Sequence, residues 1–112
     1  MEIEVSTHSD AVVAALIGEI DSSTATKAQA ELIPLIGEGK DLILDMTRLT
    51  FLSSAGLRIL LLLYRQAEAN NNKVALAGPS ENVKDTMEIT GFLTYFVVRD
   101  TVQEALAAVG AN

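Results

Sequence analysis

The uninterrupted apolar run from Ala11 to Ile17 restricts the fold more than any other feature of the sequence. Its β-forming residues Val12, Val13 and Ile17 predict a strand, and Gly18 is expected to end it. A strand without polar alternation is typical of sheets that are covered on both faces. The run is far shorter than the ~20 residues that span a bilayer. It therefore predicts a strand buried on both faces inside an α/β fold.

Strand-type and helix-type segments alternate along the rest of the chain. Apolar residues at alternate positions or in short runs predict strands at residues 2–6, 42–46, 74–77 and 93–98. Apolar residues at helical spacing, with cap and stop signals, predict helices at residues 22–36, 55–70, 81–90 and 101–109. Asp100 and Gln103 match a capping box for the last helix. The order ββαβαβαβα predicts one α/β domain over residues 1–112, with a mixed β-sheet, parallel in its later part, and helices packed on it.

The balance of charge restricts the partners. Eight Lys and Arg against fifteen Asp and Glu give a net charge of −7, which phosphate backbones and anionic lipid surfaces would repel. We therefore expect no binding to nucleic acid or to membranes, and a protein or a small ligand remains as the partner. Glu2 and Glu4 stand where an export signal needs positive charges. These features predict a soluble, cytoplasmic protein.

The stretch Ser53-Ser54-Ala55-Gly56 begins a predicted helix after a predicted strand, which is where sites lie in α/β sheets. A serine before a helix can serve as its cap, worth ~1 kcal/mol, and either serine can do this alone. Gly56 costs the helix about 1 kcal/mol relative to alanine, so we expect another group to approach it closely. The N–H groups of a helix start favour an anion such as a phosphate. The serine itself is a candidate carrier of that phosphate.

A catalytic serine is the competing interpretation of the same stretch. The stretch lacks the first glycine of the G-x-S-x-G nucleophile elbow, and the only imidazole, His8, is expected in a surface turn. Without cysteine, the chain has neither a thiol nucleophile nor a thiolate metal site. The sequence also contains no P-loop and no metal-ligand cluster. We therefore expect no catalytic, cofactor-binding or metal-binding residue.

One face of the second predicted helix combines charge with apolar surface. Arg58 and Arg65 lie seven positions apart and share this face. Leu61 and Leu62 flank the line between them, and we expect one of these leucines to be exposed. Scattered surface apolarity is common and needs no function, but an apolar patch beside a modifiable serine would suit a protein interface.

Five short fragments follow one another in a fixed order along the chain. They are Gly18-Glu19-Ile20-Asp21, Thr24-Ala25, Leu44-Asp45-Met46, Ser53-Ser54-Ala55-Gly56-Leu57 and Gly91-Phe92. Together they resemble the STAS domain of bacterial anti-sigma factor antagonists. The resemblance covers nearly the whole chain and implies the STAS fold. In that family, a serine at the start of the second long helix is phosphorylated by a partner kinase that is also the anti-sigma factor. The unphosphorylated antagonist binds this kinase and so releases the sigma factor, and a phosphatase resets the switch.

The resemblance assigns individual residues as well. The family's phosphorylated serine follows an aspartate and lies two places before a glycine, so the matching residue is Ser54. Ser53 replaces that aspartate and Ala55 replaces a second hydroxyl, which leaves Ser53 as an alternative acceptor. Asp21 matches a loop near the phosphorylation site, and it is also a candidate N-cap for the first helix. The predicted partner-binding residues are Asp21, Ser22, Ser53, Ala55, Gly56, Arg58, Leu61 and Leu62.

The resemblance thus implies a kinase substrate that is not itself an enzyme and holds no cofactor. Two alternatives stay open from the sequence. The first is a STAS module that senses a nucleotide or lipid at the same helix start. The second is a STAS component of a transporter or of a lipid-trafficking complex.

Overall fold

In the computed structural model, which describes residues 1–8, 10–37 and 39–110, five strands form one sheet in the order of the chain. The strands are β1 (Glu2–His8), β2 (Ala11–Ile20), β3 (Asp41–Leu52), β4 (Val74–Ala77) and β5 (Val97–Arg99). The helices are α1 (Ala25–Leu32), α2 (Ser54–Ala69), α3 (Glu81–Ile89) and α4 (Val102–Ala108), with short 3₁₀ turns at Ile33–Leu35 and Phe92–Tyr95. β1 pairs antiparallel with β2, and the other neighbouring strands are parallel. The predicted order ββαβαβαβα and the mixed sheet are confirmed.

Helices cover both faces of the sheet, as the apolar run in β2 predicts. Val12, Ala14 and Leu16 of β2 belong to the larger core, which also contains the buried residues of α1, α2 and α3. Ala11 and Val13 belong to a smaller core, which contains the buried residues of α4. Because successive strand residues point to opposite faces, a strand covered on both sides has no position for a polar residue.

β2 and β3 are both longer than predicted. Gly18 does not end β2 but continues it with a φ of +103°, and the register with β3 shifts between Ala15 and Ile17 and again between Gly18 and Glu19. Such bulges absorb an extra residue and allow pairing to resume beyond it. The polar segment at residues 47–50, which was expected to follow the strand, and the next two residues therefore continue β3 to Leu52. The two strands end together, with Ile20 paired to Leu52.

The end of the chain corrects two further predictions. Residues 93–95 belong to a 3₁₀ turn, and only residues 97–99 form β5. In this turn the ring of Tyr95 lies 5.2 Å from the ring of Tyr64, measured between centroids. The cap of α4 is Thr101, whose hydroxyl accepts a hydrogen bond from the Glu104 N–H at 3.0 Å, so the predicted Asp100 and Gln103 pair lies one residue too early.

The third predicted helix has Ser80 as its cap signal and Gly91 as its stop signal, and the structure confirms both. Ser80 caps α3 by accepting a hydrogen bond from the Val83 N–H at 3.3 Å, and Gly91 follows that helix with a φ of +79°. Within the part of the chain that the structure describes, no helix has both the length and the apolar character needed to cross a membrane.

Candidate partner-binding site

The paired ends of β2 and β3 bring two separate segments of the chain together. The Ser53 N–H donates a hydrogen bond of 2.9 Å to the Ile20 carbonyl. The turn that begins at Asp21 and the start of α2 at Ser54 therefore leave the sheet side by side. The two extra residues in β3 are responsible, because without them the two strands would end at different levels.

The two serines have different roles in the structure. Ser53 is half-buried at the N-cap of α2, and its Oγ accepts a hydrogen bond of 3.4 Å from the Gly56 N–H. Ser54 is the first residue of the helix and is exposed. Within the described residues, its hydroxyl takes part in no side-chain hydrogen bond. The predicted capping therefore falls to Ser53, and Ser54 is the exposed serine of the pair.

Gly56 is explained by packing inside the protein. It is buried, and a Cβ at this position would lie 2.5 Å from Leu52 Cδ1, 2.9 Å from Ile20 Cγ2 and 3.2 Å from the Ile20 carbonyl oxygen. The prediction that another group approaches Gly56 closely is correct. The approaching groups are the ends of the two strands, however, and not the phosphate that the sequence suggested. Any partner contact at Gly56 has to involve its backbone.

Asp21 organises the turn before α1. Its Oδ1 accepts hydrogen bonds from the Ser23 hydroxyl at 2.6 Å, the Ser23 N–H at 2.9 Å and the Thr24 N–H at 3.2 Å. The regular helix begins only at Ala25, with Thr24 in the N-cap position. Asp21 thus caps the preceding turn, which corrects its assignment as the N-cap of α1. These bonds, the Ser23 hydroxyl first, hold the pKa of Asp21 below its ordinary value of 3.8.

We expect a carbon-detected NMR titration to give Asp21 a midpoint below 3.8. Because the folded-state pKa is depressed, the stabilising effect of the charged turn is present above the ordinary pKa and is lost as the pH falls through the folded pKa. Ser23→Ala should raise the Asp21 midpoint, since it removes the largest cause of the shift. Ser22→Ala, at an exposed neighbour that makes no hydrogen bond to Asp21 in the structure, is the control and should leave the midpoint unchanged.

An open groove of about 550 Å³ runs between α1 and α2 beside this turn. Its lining residues are Ser22, Ala25, Thr26, Gln29, Ala55, Arg58, Ile59, Leu61, Leu62 and Arg65. Leu61 and Leu62 are both half-buried, which corrects the expectation that one of them is exposed. The groove includes both arginines of the predicted helix face, so this face is confirmed as a single surface.

The structure also shows an apolar residue that the sequence prediction missed. Phe51 is 44% exposed near the end of β3, two residues before Ser53. Neighbouring strand residues point to opposite faces, so burial of Leu52 against Gly56 turns Phe51 away from the core. Its exposure follows from the sequence only once β3 is known to continue to Leu52.

A family comparison decides how this arrangement is classified. The model of the STAS domain matches residues 2–105. The chain belongs to the STAS domain family. The STAS resemblance drawn from the five sequence fragments is therefore confirmed.

Relatives of this STAS domain include named anti-sigma factor antagonists. BtrV of Bordetella bronchiseptica, which carries that name, is 35% identical over 98 residues, covering 87% of this chain and 84% of the relative. The anti-sigma factor antagonist SpoIIAA in its unphosphorylated form has a TM-score of 0.82 at 25% identity, covering 96% of both chains. The Bacillus cell fate determinant SpoIIAA in its phosphorylated form has a TM-score of 0.74 at 24% identity, covering 96% of this chain and 99% of that one. The mixed sheet and its helices are thus the STAS fold.

The predicted site residues of the STAS domain lie on two adjoining segments. Asp21 and Ser22 belong to the turn after β2, whereas the other members of the predicted set lie at Ser53 or along α2. Ser22 and Ala55 meet in the groove, which continues past Arg58 to Arg65. In the described residues, no group of three or more His, Cys, Asp and Glu side chains is arranged to hold a metal ion.

Proposed function

We propose that this protein is an anti-sigma factor antagonist that is switched by phosphorylation of Ser54. In its unphosphorylated form it binds an anti-sigma factor that is also a serine kinase, and phosphate on Ser54 releases it. The observation that carries the proposal is that Ser54 is exposed at the first position of α2. Ser53 is less suited as the acceptor, because it is half-buried and its hydroxyl already caps the helix.

The names of the relatives support this proposal. BtrV is named as an anti-sigma factor antagonist, and SpoIIAA has solved structures with and without phosphate. In our proposal the STAS domain extends over residues 1–112 and acts in the cytoplasm, as a substrate and not as an enzyme. A phosphoserine phosphatase returns it to the binding form, and neither nucleic acid nor a membrane takes part.

The contact surface for the kinase is built from both segments. The turn contributes Asp21 and Ser22, and the start of α2 contributes Ser53 and Ala55, with Gly56 present through its backbone. Farther along α2, the surface includes Arg58, Leu61 and Leu62, which line the groove. When the kinase binds this surface, Ser54 lies at the centre of the contact.

Phosphosite mass spectrometry of the protein from its native cell tests the proposal. Phosphate is expected on Ser54 and is expected to disappear in Ser54→Ala. Phosphate on Ser53 instead would move the acceptor by one residue, and no phosphate under any growth condition would contradict the switch. In that case, a nucleotide or lipid that raises the melting temperature would favour ligand sensing, and stable association with membrane proteins would favour a transporter or lipid-trafficking component.

A further inference from the structure

We propose that the groove between α1 and α2 is the docking site for an acidic amphipathic helix of the anti-sigma factor, an inference that rests on the proposed function above. Three properties of the groove select this occupant, namely its charge, its length and its apolar floor. None of them involves the phosphate on Ser54.

The charge of the groove is opposite to that of the protein. The chain as a whole carries −7, yet the groove lining includes Arg58 and Arg65 and no Asp or Glu. Across residues 1–8, 10–37 and 39–110, the ion pairs within 4.0 Å are Lys27 with Glu31 and Arg48 with Glu4. Both groove arginines are exposed, so their guanidinium groups are available to carboxylates of a partner.

The length of the groove matches a helix. On α2 its lining runs from Ala55 to Arg65, which is about 15 Å at 1.5 Å per residue. Arg58 and Arg65 lie two helical turns apart, or about 10 Å. Carboxylates seven positions apart on a helix lying along the groove have the same separation, so each can pair with one arginine.

The floor of the groove is apolar, and both helices that form it contribute small side chains. Ala25 and Ala55 contribute small side chains, and Ile59 and Leu62 contribute larger ones. The two alanines, one on each helix, allow the backbone of a third helix to come close. The larger residues provide apolar contact for the leucines of that helix. This is the arrangement by which an amphipathic helix binds in a groove.

Charge disfavours a second copy of this chain as the occupant. In a two-fold dimer the same surface meets itself, so Arg58 and Arg65 would face the corresponding arginines of the other copy. The two chains would also each bring a net charge of −7. An acidic helix from a different protein avoids the first repulsion and gains two ion pairs.

Two synthetic peptides test the proposal on the full chain. One is an amphipathic helical peptide with leucines on one face and glutamates seven positions apart, and its matched control has lysines in place of the glutamates. The Glu peptide should shift amide NMR signals of residues that line the groove, and its affinity should fall as salt is raised. The Lys peptide should bind at least about tenfold more weakly, a difference of about 1.4 kcal/mol.

Charge-reversed variants complete the test. The double variant Arg58→Glu, Arg65→Glu should bind the Glu peptide more weakly than the natural chain does, by about tenfold or more. It should bind the Lys peptide more tightly than the natural chain does. The control double variant Lys84→Glu, Arg99→Glu makes the same change in net charge at exposed positions outside the groove. Its affinity for either peptide should differ little from that of the natural chain. Equal binding of both peptides, or shifts that lie outside the groove, would overturn the proposal.

The possible outcomes distinguish failure of the docking proposal from failure of the phosphorylation switch. Groove signals that shift with protein concentration in the absence of peptide would identify a second copy as the occupant and contradict an acidic helix. Neither peptide experiment uses kinase or phosphate. If the Glu peptide binds selectively but no phosphate is found on Ser54, the switch is contradicted and the preference of the groove for an acidic helix is retained. If phosphate is found on Ser54 but the Glu peptide does not bind selectively, only the docking proposal is contradicted.

Discussion

Ser54→Glu is expected to lower the affinity for the anti-sigma factor by roughly a hundredfold, and phosphate on Ser54 by at least as much. A hundredfold change corresponds to about 2.7 kcal/mol. In the free protein the new charge is tolerated, because it lies at the start of α2 and because Arg58 follows one turn later at the i+4 position. In the complex the same charge would be desolvated at the centre of the contact, at a cost of several kcal/mol if it is unpaired.

Pairing of the Ser54 phosphate with Arg58 adds a second effect to this first prediction. A phosphate carries a charge of about −1.5 to −2 at neutral pH, and capture of the Arg58 guanidinium withdraws a cation from the groove. We therefore expect phosphorylated protein to bind the acidic peptide more weakly than unphosphorylated protein. In Arg58→Ala this difference should become smaller.

Two binding controls and two measurements of folding separate the loss of affinity in Ser54→Glu from damage to the fold. Ser54→Ala should bind the anti-sigma factor normally, and Gln66→Glu, at an exposed position of the same helix, should bind nearly as well as the natural chain. Circular dichroism and the melting temperature of Ser54→Glu should match those of the natural chain. Full affinity in Ser54→Glu, or loss of its helical signal, would contradict the prediction.

Gly56→Val is expected to destabilise the fold by about 3 kcal/mol, at the upper end of the usual cost of overpacking. The added Cβ meets Leu52 Cδ1 at 2.5 Å and Ile20 Cγ2 at 2.9 Å, and both residues are buried at the ends of their strands. Ile20 also carries the carbonyl that anchors the Ser53 N–H, so it cannot move away without disturbing the start of α2. The expected measurement is a lower urea midpoint with an unchanged slope.

A graded series supplies the control for this second prediction. Gly56→Ala should cost only about 1 kcal/mol, because the better helix propensity of alanine offsets part of the clash. Ala69→Val places the same β-branched side chain at an exposed position of α2 and should cost only a few tenths of a kcal/mol. If Gly56→Val were as stable as Ala69→Val, the packing explanation for the glycine would be wrong.

Local patterns in the sequence were sufficient for the element order and the sheet type. The apolar run in β2 requires cover on both faces, and helical spacing of apolar residues marks each helix without tertiary information. Ser80 and Gly91 were predictable for the same reason, since caps and left-handed turns depend on neighbours within a few residues. For α2 the sequence offered either serine as the cap, and the structure chose Ser53. The serine pair at the start of α2 was therefore visible before any contact was known.

The geometry of the site was decided only by contacts between distant segments. Bulges in β3 bring Leu52 level with Ile20. This pairing places the Asp21 turn beside Ser54 and fills the space at Gly56. The groove likewise exists because α1 packs beside α2, and Phe51 is exposed because β3 continues to Leu52. Register shifts and helix packing depend on residues tens of positions apart, and hydrophobic periodicity within one segment carries no information about them.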